Sequence, residues 1–367
     1  MEKIVKLGIV GGFLGAGKTS TIIEIGKKLV TDYGKRVAII TNDQGEELVD
    51  TKIVKDYGFE VGEVLGGCFC CKFPDFMASS EDILKKTNPD IILAEPVGSC
   101  TDIPATLHMP IRKFYKNTFK IAPHIVLVDA RRILNMSSEM DLVSPDTSTG
   151  YLFSHQIQEA EVLAVNKIDL VSPDQIDQIK EVLKKLNSRA EIMLISAANG
   201  TGMDALAGKI LNDEYKSYYY PHVDYKVYGS AEAEMGWLNG VWKVDSKQDF
   251  KVKEFIRDIL ITAATDIKQK NGDIGHVKIY FSNKKNFTKA SFVSFGQDVC
   301  FTGLIPDKTG SGEMAINARV AIGHKELKQS ILDSLEIVSS KYDTELNTLK
   351  IESFSPPQPE PHHRILG

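Results

Sequence analysis

The sequence predicts an α/β chain in two parts, a doubly wound, mostly parallel sheet followed by a smaller C-terminal α+β domain. Three observations carry this. Short runs rich in Ile, Val and Leu recur from residue 3 to about 215, with amphipathic helical stretches between several of them. The first of these runs leads directly into a glycine-rich turn that opens a helix. After YKSYYYPHVDY the rhythm changes to strand, helix, several strands, helix and a last strand.

The strand-like runs of the first part are KIVKLGIV, RVAIIT, DIILAE, HIVLVDA, EVLAVNK and EIMLIS. Continuous apolar runs of this kind suit parallel strands buried on both faces, and alternation with helices is the βαβ signature. TSTIIEIGKKLVTDYG reads as a helix with its final glycine as C-cap. In the second part YKVYGSAEAEMGWLNGVWKV reads as a strand and DFKVKEFIRDILITAATDIKQKNG as a helix. The runs HVKIYFSN, KASFVSF and EMAINARVAIG read as strands, KELKQSILDSLEIVSSKY as a helix and TLKIESF as a strand. That order approximates a ferredoxin-like split βαβ unit with one strand added. The expected division is 1–218, 219–355 and a flexible proline-rich tail at 356–367, in which His362–His363 reads as a surface pair.

Composition narrows the function classes. The 367 residues are 43% hydrophobic and 25% charged, which suits a chain with a substantial core, and the net charge of −5 does not point to nucleic acid or an anionic membrane. No apolar run approaches the roughly 18–20 residues of a membrane span. MEKIVKLGIVGG lacks the pattern of a signal peptide, so a cytoplasmic location is the expectation, where thiols stay reduced.

The most specific motif runs from Gly12 through Gly15, Ala16 and Gly17 to Lys18, Thr19 and Ser20, a GxxxxGK[ST] between strand and helix. Backbone N–H groups of such a P-loop face phosphate oxygens at a helix N-terminus. Lys18 reaches the β- and γ-phosphates, and the Thr19 hydroxyl ligates Mg²⁺. An ordinary glycine turn is the alternative, and the lysine and threonine argue against it. Asn166-Lys167-Ile168-Asp169 ends a later strand. The Asp169 carboxylate there accepts from guanine N1–H and the N2 amine, a donor pair adenine lacks, so the nucleotide is GTP rather than ATP. Ser196, Ala197 and Ala198 follow the next strand where a base-contacting loop belongs. Among acidic residues, Asp43 in TNDQGEE and Glu95 ending DIILAE are placed to act on Mg²⁺ and the γ-phosphate. Asp129 in IVLVDA ranks third, since an Asp capping a turn is common. No arginine finger is evident, and Arg131 and Arg132 qualify by charge alone.

Three of the five cysteines, Cys68, Cys70 and Cys71, fall in VLGGCFCCKF. The spacing is not that of a zinc finger, yet three thiolates from one turn can converge on one ion: Zn²⁺ favoured, Cu(I) allowed and Co²⁺ tolerated. A fourth position is left for water, a side chain or an exchanging partner, which suits transfer. Small buried hydrophobes are the bland alternative. A redox pair is another, disfavoured because vicinal Cys70 and Cys71 would close a strained ring.

Taken together, GGFLGAGKT, TNDQGEELVDT, LGGCFCCKF, the acidic strand end and NKID resemble the CobW-type metal-chaperone GTPases, relatives of the urease and hydrogenase nickel-insertion GTPases. The resemblance covers residues 3 to about 215. It implies a P-loop GTPase that binds a transition metal at the Cys-x-Cys-Cys turn and delivers it to a client protein under nucleotide control. Within it, Asn42, Asp43 and Gly45 match the family's switch element. Where the family has Glu-Ser/Thr-(Ser/Ala)-Gly, this chain has Glu95-Pro96-Val97-Gly98-Ser99-Cys100, and its eight histidines form no metal-storage tract. The client implied is a metalloprotein, with a corrinoid- or cobalamin-dependent enzyme as one case, and a homodimer is left open. The rival reading is a G-protein gatekeeper of such an enzyme without metal transfer, in which the cysteines only shape a switch. A metabolic kinase is a third, and NKID argues against it.

Overall fold

The computed structural model describes residues 3–42, 51, 54–55, 57–138, 148–216, 219–283, 286–293, 295 and 298–366. Asp43 and Gly45, two of the three switch residues, lie outside the described residues. Two compact units divide the chain, one taking the described residues to 231 and the tail from 358, the other taking 232–357.

The first unit is built on parallel strands β1 (Val5–Gly12), β2 (Val37–Asn42), β3 (Glu60–Val64), β4 (Ile91–Glu95), β5 (Phe119–Ile121), β6 (Ile125–Asp129), β7 (Val162–Asn166) and β8 (Glu191–Leu194). Their order is β3-β2-β4-β1-β6-β7-β8, with β5 on β1. Every residue of β4, β6 and β7 is buried, as their unbroken apolar runs require. Strands β3 and β5 have no such run: β3 is an edge strand with one buried residue in five, and β5 has three residues. The first helix spans Lys18–Thr31 and stops short of Gly34. Because all these strands are parallel, their carboxyl ends share one edge of the sheet, where open α/β folds bind ligands.

The second unit is one antiparallel sheet of β9 (Gly236–Lys251), β10 (Asp273–Asn283), β11 (Asn286–Phe292), β12 (Cys300–Thr302), β13 (Lys308–Ala321) and β14 (Thr344–Phe354). Its order, β12-β11-β10-β13-β9-β14, is the ferredoxin-like arrangement with β11 and β12 added at one edge. The helices Val252–Gln269 and His324–Tyr342 bury Phe255, Ile259, Ile331 and Leu335 in one core with Trp242, Ile279, Phe281 and Ile316.

Two expectations change at the junctions. Residues 225–234, read as strand, form the helix Tyr225–Glu234, in keeping with their Ala and Glu content. This helix starts within the first unit: the Tyr228 hydroxyl accepts from the Thr101 N–H at 3.3 Å and the Tyr225 hydroxyl donates to Asp102 Oδ2 at 2.7 Å. The tail, expected to be flexible, is tied to the same unit. Its Arg364 Nε is paired with Asp102 Oδ2 at 2.7 Å, and the Ile365 N–H donates to Ala105 O at 2.8 Å.

Candidate nucleotide and metal site

Neighbouring strand ends set the layout. The thiol turn follows β3, Asn42 ends β2, Glu95 ends β4, and the P-loop follows β1. Asp129, Asn166 and Ser196 lie at or just after the ends of β6, β7 and β8 on the other side. Phosphates at the P-loop would therefore stand between a base side and a thiol side.

The P-loop turn needs its glycines. Gly12 has φ +131°, and a Cβ there would stand 2.4 Å from the Leu127 carbonyl oxygen. Gly17 has φ +92°, and a Cβ there would stand 2.5 Å from Asn166 Nδ2. Gly12→Ala is expected to cost about 2–3 kcal/mol through strained backbone and a displaced β6, measured by denaturant unfolding. Lys18 Nζ donates to the Gly12 and Phe13 carbonyls at 3.0 and 3.4 Å, so the loop backbone holds the ammonium over its own concavity. The buried Thr19 hydroxyl donates to Glu95 Oε1 at 3.0 Å. A hydroxyl and a carboxylate in contact at the foot of a P-loop are hard oxygen donors and fit Mg²⁺, with phosphate and water completing the shell.

On the base side, Asn166 joins three segments. Its Nδ2 donates to Ala16 O at 2.8 Å, and its Oδ1 accepts from Lys167 N at 2.8 Å and Ala197 N at 3.1 Å. Lys167, in the left-handed region at φ 66°, sends Nζ to Gly15 O at 2.9 Å and to Asp129 Oδ2 at 2.5 Å. The Ser196 hydroxyl donates to Asp169 Oδ1 at 2.5 Å, which orients that carboxylate. Asp129 accepts from the Arg131 and Arg132 N–H groups, so the turn-capping reading describes its carboxylate, together with the Lys167 pair. Arg132 stacks over the P-loop ring of Phe13 at 5.0 Å.

On the thiol side, the sulfurs of Cys68, Cys70 and Cys71 lie within 4.8 Å of one another, at 2.8, 3.1 and 3.9 Å pairwise. No other such group of ligands occurs among the described residues. The Asn42 side chain shapes the turn. Its Nδ2 donates to Val64 O and Gly67 O at 3.0 and 2.7 Å, and its Oδ1 accepts the Phe69 N–H at 3.0 Å. Thiol hydrogen bonds from Cys100, Cys70 and Cys71 hold Cys68 well below the ordinary thiol range, and the bond to Cys68 pushes Cys71 up to about 12. Such a group offers converging sulfur donors to a soft or borderline ion, and Zn²⁺ or Co²⁺ fits.

Two contributors escaped the sequence reading. One is Cys100, remote in sequence but touching the cluster. The other is the tail: the His362 N–H donates to Cys70 O at 2.9 Å, and a Glu360 backbone group bonds the Cys71 thiol. His362, still exposed as expected of a surface pair, stacks parallel to Phe73 at 6.4 Å, and His363 meets that ring at 5.1 Å. No sequence signal marks either contact, because both depend on how distant segments pack. Among the described residues no helix is long and apolar enough to cross a membrane.

A zinc-regulated GTPase metalloprotein activator 1 of Schizosaccharomyces pombe is 28% identical over 200 residues, 52% of this chain and 45% of the relative. A zinc chaperone CobW of a Sinorhizobium species is 28% identical over 211 residues, 52% of this chain and 58% of the relative. The chain thus spans about half the length of these curated relatives. The solved Zn(II)-bound YjiA GTPase of Escherichia coli aligns over 91% of this chain and 99% of its own, at 16% identity and a TM-score of 0.40. The family model described as CobW/HypB/UreG, nucleotide-binding domain, matches residues 6–194. That match takes in the P-loop, the thiol turn, Glu95 and the NKID motif, and covers just over half of the sequence. The chain belongs to the CobW/HypB/UreG family.

Proposed function

We propose that this protein is a GTP-hydrolysing metallochaperone that takes Zn²⁺, or Co²⁺, at Cys68, Cys70 and Cys71 and passes it to a client metalloprotein. Lys18 and the P-loop amides bind the phosphates, Thr19 and Glu95 hold Mg²⁺, and Asn166, Lys167 and Asp169, with Ser196 and Ala197, select guanine. Mg²⁺ supplies charge neutralisation across the β- and γ-phosphates. Asp43 is assigned to sensing the γ-phosphate from its place in the sequence, directly after Asn42.

The observation that carries the coupling is the Asn42 side chain. One amide at the end of β2 makes all three hydrogen bonds described above to the segment that presents the thiols. A nucleotide-dependent shift of the segment after Asn42 would reach the thiols through this amide, as order–disorder changes do in other nucleotide switches.

Metal affinity measured with GDP and with a non-hydrolysable GTP analogue tests the reading. Linked sites change each other's affinity by the same factor, typically ~5–150-fold. The wild type is expected to show such a difference, and Asn42→Ala to lose most of it. Equal metal affinity in both nucleotide states of the wild type would refute the switch. A chain that binds GTP and a corrinoid enzyme but no metal would favour the gatekeeper; the converging thiols favour the chaperone.

A further inference from the structure

A metal site that exchanges with a client must be reached from outside, yet Cys68 and Cys70 are each 5% exposed and Cys71 is half-buried. Residues 358–366 lie against this turn. They belong to the first unit although they follow the second in sequence. The His362 N–H donates to Cys70 O at 2.9 Å, and the ring of His363 stands 5.1 Å from both Phe73 and Phe114. Phe73 is two positions beyond Cys71, so these contacts follow the turn on both sides of its last thiol.

Two residues further on the segment is pinned. Arg364 Nε donates to Asp102 Oδ2 at 2.7 Å, and the Ile365 N–H donates to Ala105 O at 2.8 Å. Asp102 is 1% exposed and sits in the left-handed region at φ 61°, a conformation that the surrounding structure must hold in a residue other than glycine. Its Oδ2 also accepts from the Tyr225 hydroxyl. A buried carboxylate needs a compensating charge, and Arg364 supplies it from a side chain that is itself one-third exposed. The rest of the segment is held by single hydrogen bonds and ring contacts, and at its start Gln358 Nε2 donates to Tyr225 O at 3.4 Å. A segment held by so few contacts opens locally without unfolding the core.

We propose that residues 358–366 are a strap across the thiol turn, pinned by Arg364 on Asp102, which limits access to the thiols and lifts to let a metal or a client's donor group reach them. What passes beneath the strap rests on the metallochaperone reading, whereas access to the thiols can be measured without metal or nucleotide. Three thiolates leave one coordination position open, and ligand exchange proceeds through it. A closed strap keeps stray ligands from that position, and a lifted one admits the client.

Alkylation of the reduced, metal-free, full-length protein by iodoacetamide tests this, with the rate at each cysteine read by mass spectrometry. Cys300, exposed in the second unit, is the internal reference. Arg364→Ala removes the pin and is expected to raise the rates at Cys70 and Cys71, relative to Cys300, by about 10-fold or more, as loss of a hydrogen bond to a charged group shifts the opening equilibrium. His362→Pro removes only the N–H that meets Cys70 O and should raise them by about 3-fold. Arg364→Lys keeps a charge for Asp102 and should stay close to the wild type. Circular dichroism checks the fold of each variant. Zn²⁺-loaded protein challenged with excess chelator should release its metal faster in the same order.

Unchanged alkylation at Cys70 and Cys71 in both Arg364→Ala and His362→Pro would overturn the strap and leave the chaperone reading standing. An acceleration that Arg364→Lys shared in full would overturn it as well, since the charge on Asp102 would then not be the pin. A wild type that bound neither Zn²⁺ nor Co²⁺ would bring down the chaperone reading, and the alkylation rates would still decide the strap.

Discussion

Replacing Cys68, Cys70 and Cys71 together by serine is expected to remove tight Zn²⁺ and Co²⁺ binding, with a fall in Zn²⁺ affinity of ~10³-fold or more. A serine hydroxyl keeps its proton at neutral pH and is a poor ligand for these ions, whereas a thiol gives up its proton to the metal. GTP affinity in metal-free buffer is the control for folding, since the phosphate and base contacts proposed above involve the P-loop, the NKID segment and the Ser196 loop and none of the three cysteines. Isothermal titration with a competing chelator makes the measurement. Retention of nanomolar Zn²⁺ binding by the triple variant would move the metal elsewhere in the chain.

Lys18→Ala is expected to slow GTP hydrolysis by at least ~10²-fold, since positioning and charge neutralisation carry most of phosphoryl-transfer catalysis. Lys18 Nζ rests on the Gly12 and Phe13 carbonyls, and a bound γ-phosphate would offer it a charged acceptor instead. The wild-type rate should itself be slow, as no arginine finger is evident in the sequence and Arg132 lies over the Phe13 ring. Single-turnover hydrolysis at saturating GTP separates this chemical effect from weakened binding. Turnover that is fast and indifferent to Lys18 would contradict the assignment.

Much of the site could be read along the chain because its motifs are local. A P-loop is eight consecutive residues with a steric requirement at each glycine, and the clash that a Cβ at Gly12 would make with Leu127 is that requirement in three dimensions. The buried parallel strands announced themselves by unbroken apolar runs, since a strand covered on both faces has no polar side to show. Strand β3 stayed hidden for the converse reason: at the sheet edge four of its five residues reach solvent, and its sequence, EVGEV, has no sustained hydrophobic run. The helix at Tyr225–Glu234 carries a mixed signal, since its Tyr and Val residues favour strands while its Ala and Glu residues favour helix, and packing decides between them.

What needs only neighbours in sequence, such as the P-loop, the NKID segment and the Cys-x-Cys-Cys turn, is thus written in the residues themselves. Tertiary structure alone decides what faces those residues across space. It brings Cys100 to the thiols from 29 positions beyond Cys71, ties the thiol turn to the end of β2 through Asn42, and lays the proline-rich tail along Cys70 and Cys71. The reason is physical. Each of these contacts is made between segments far apart in the chain, so its geometry depends on strand order and on packing in the core, and neither leaves a periodic mark on the sequence.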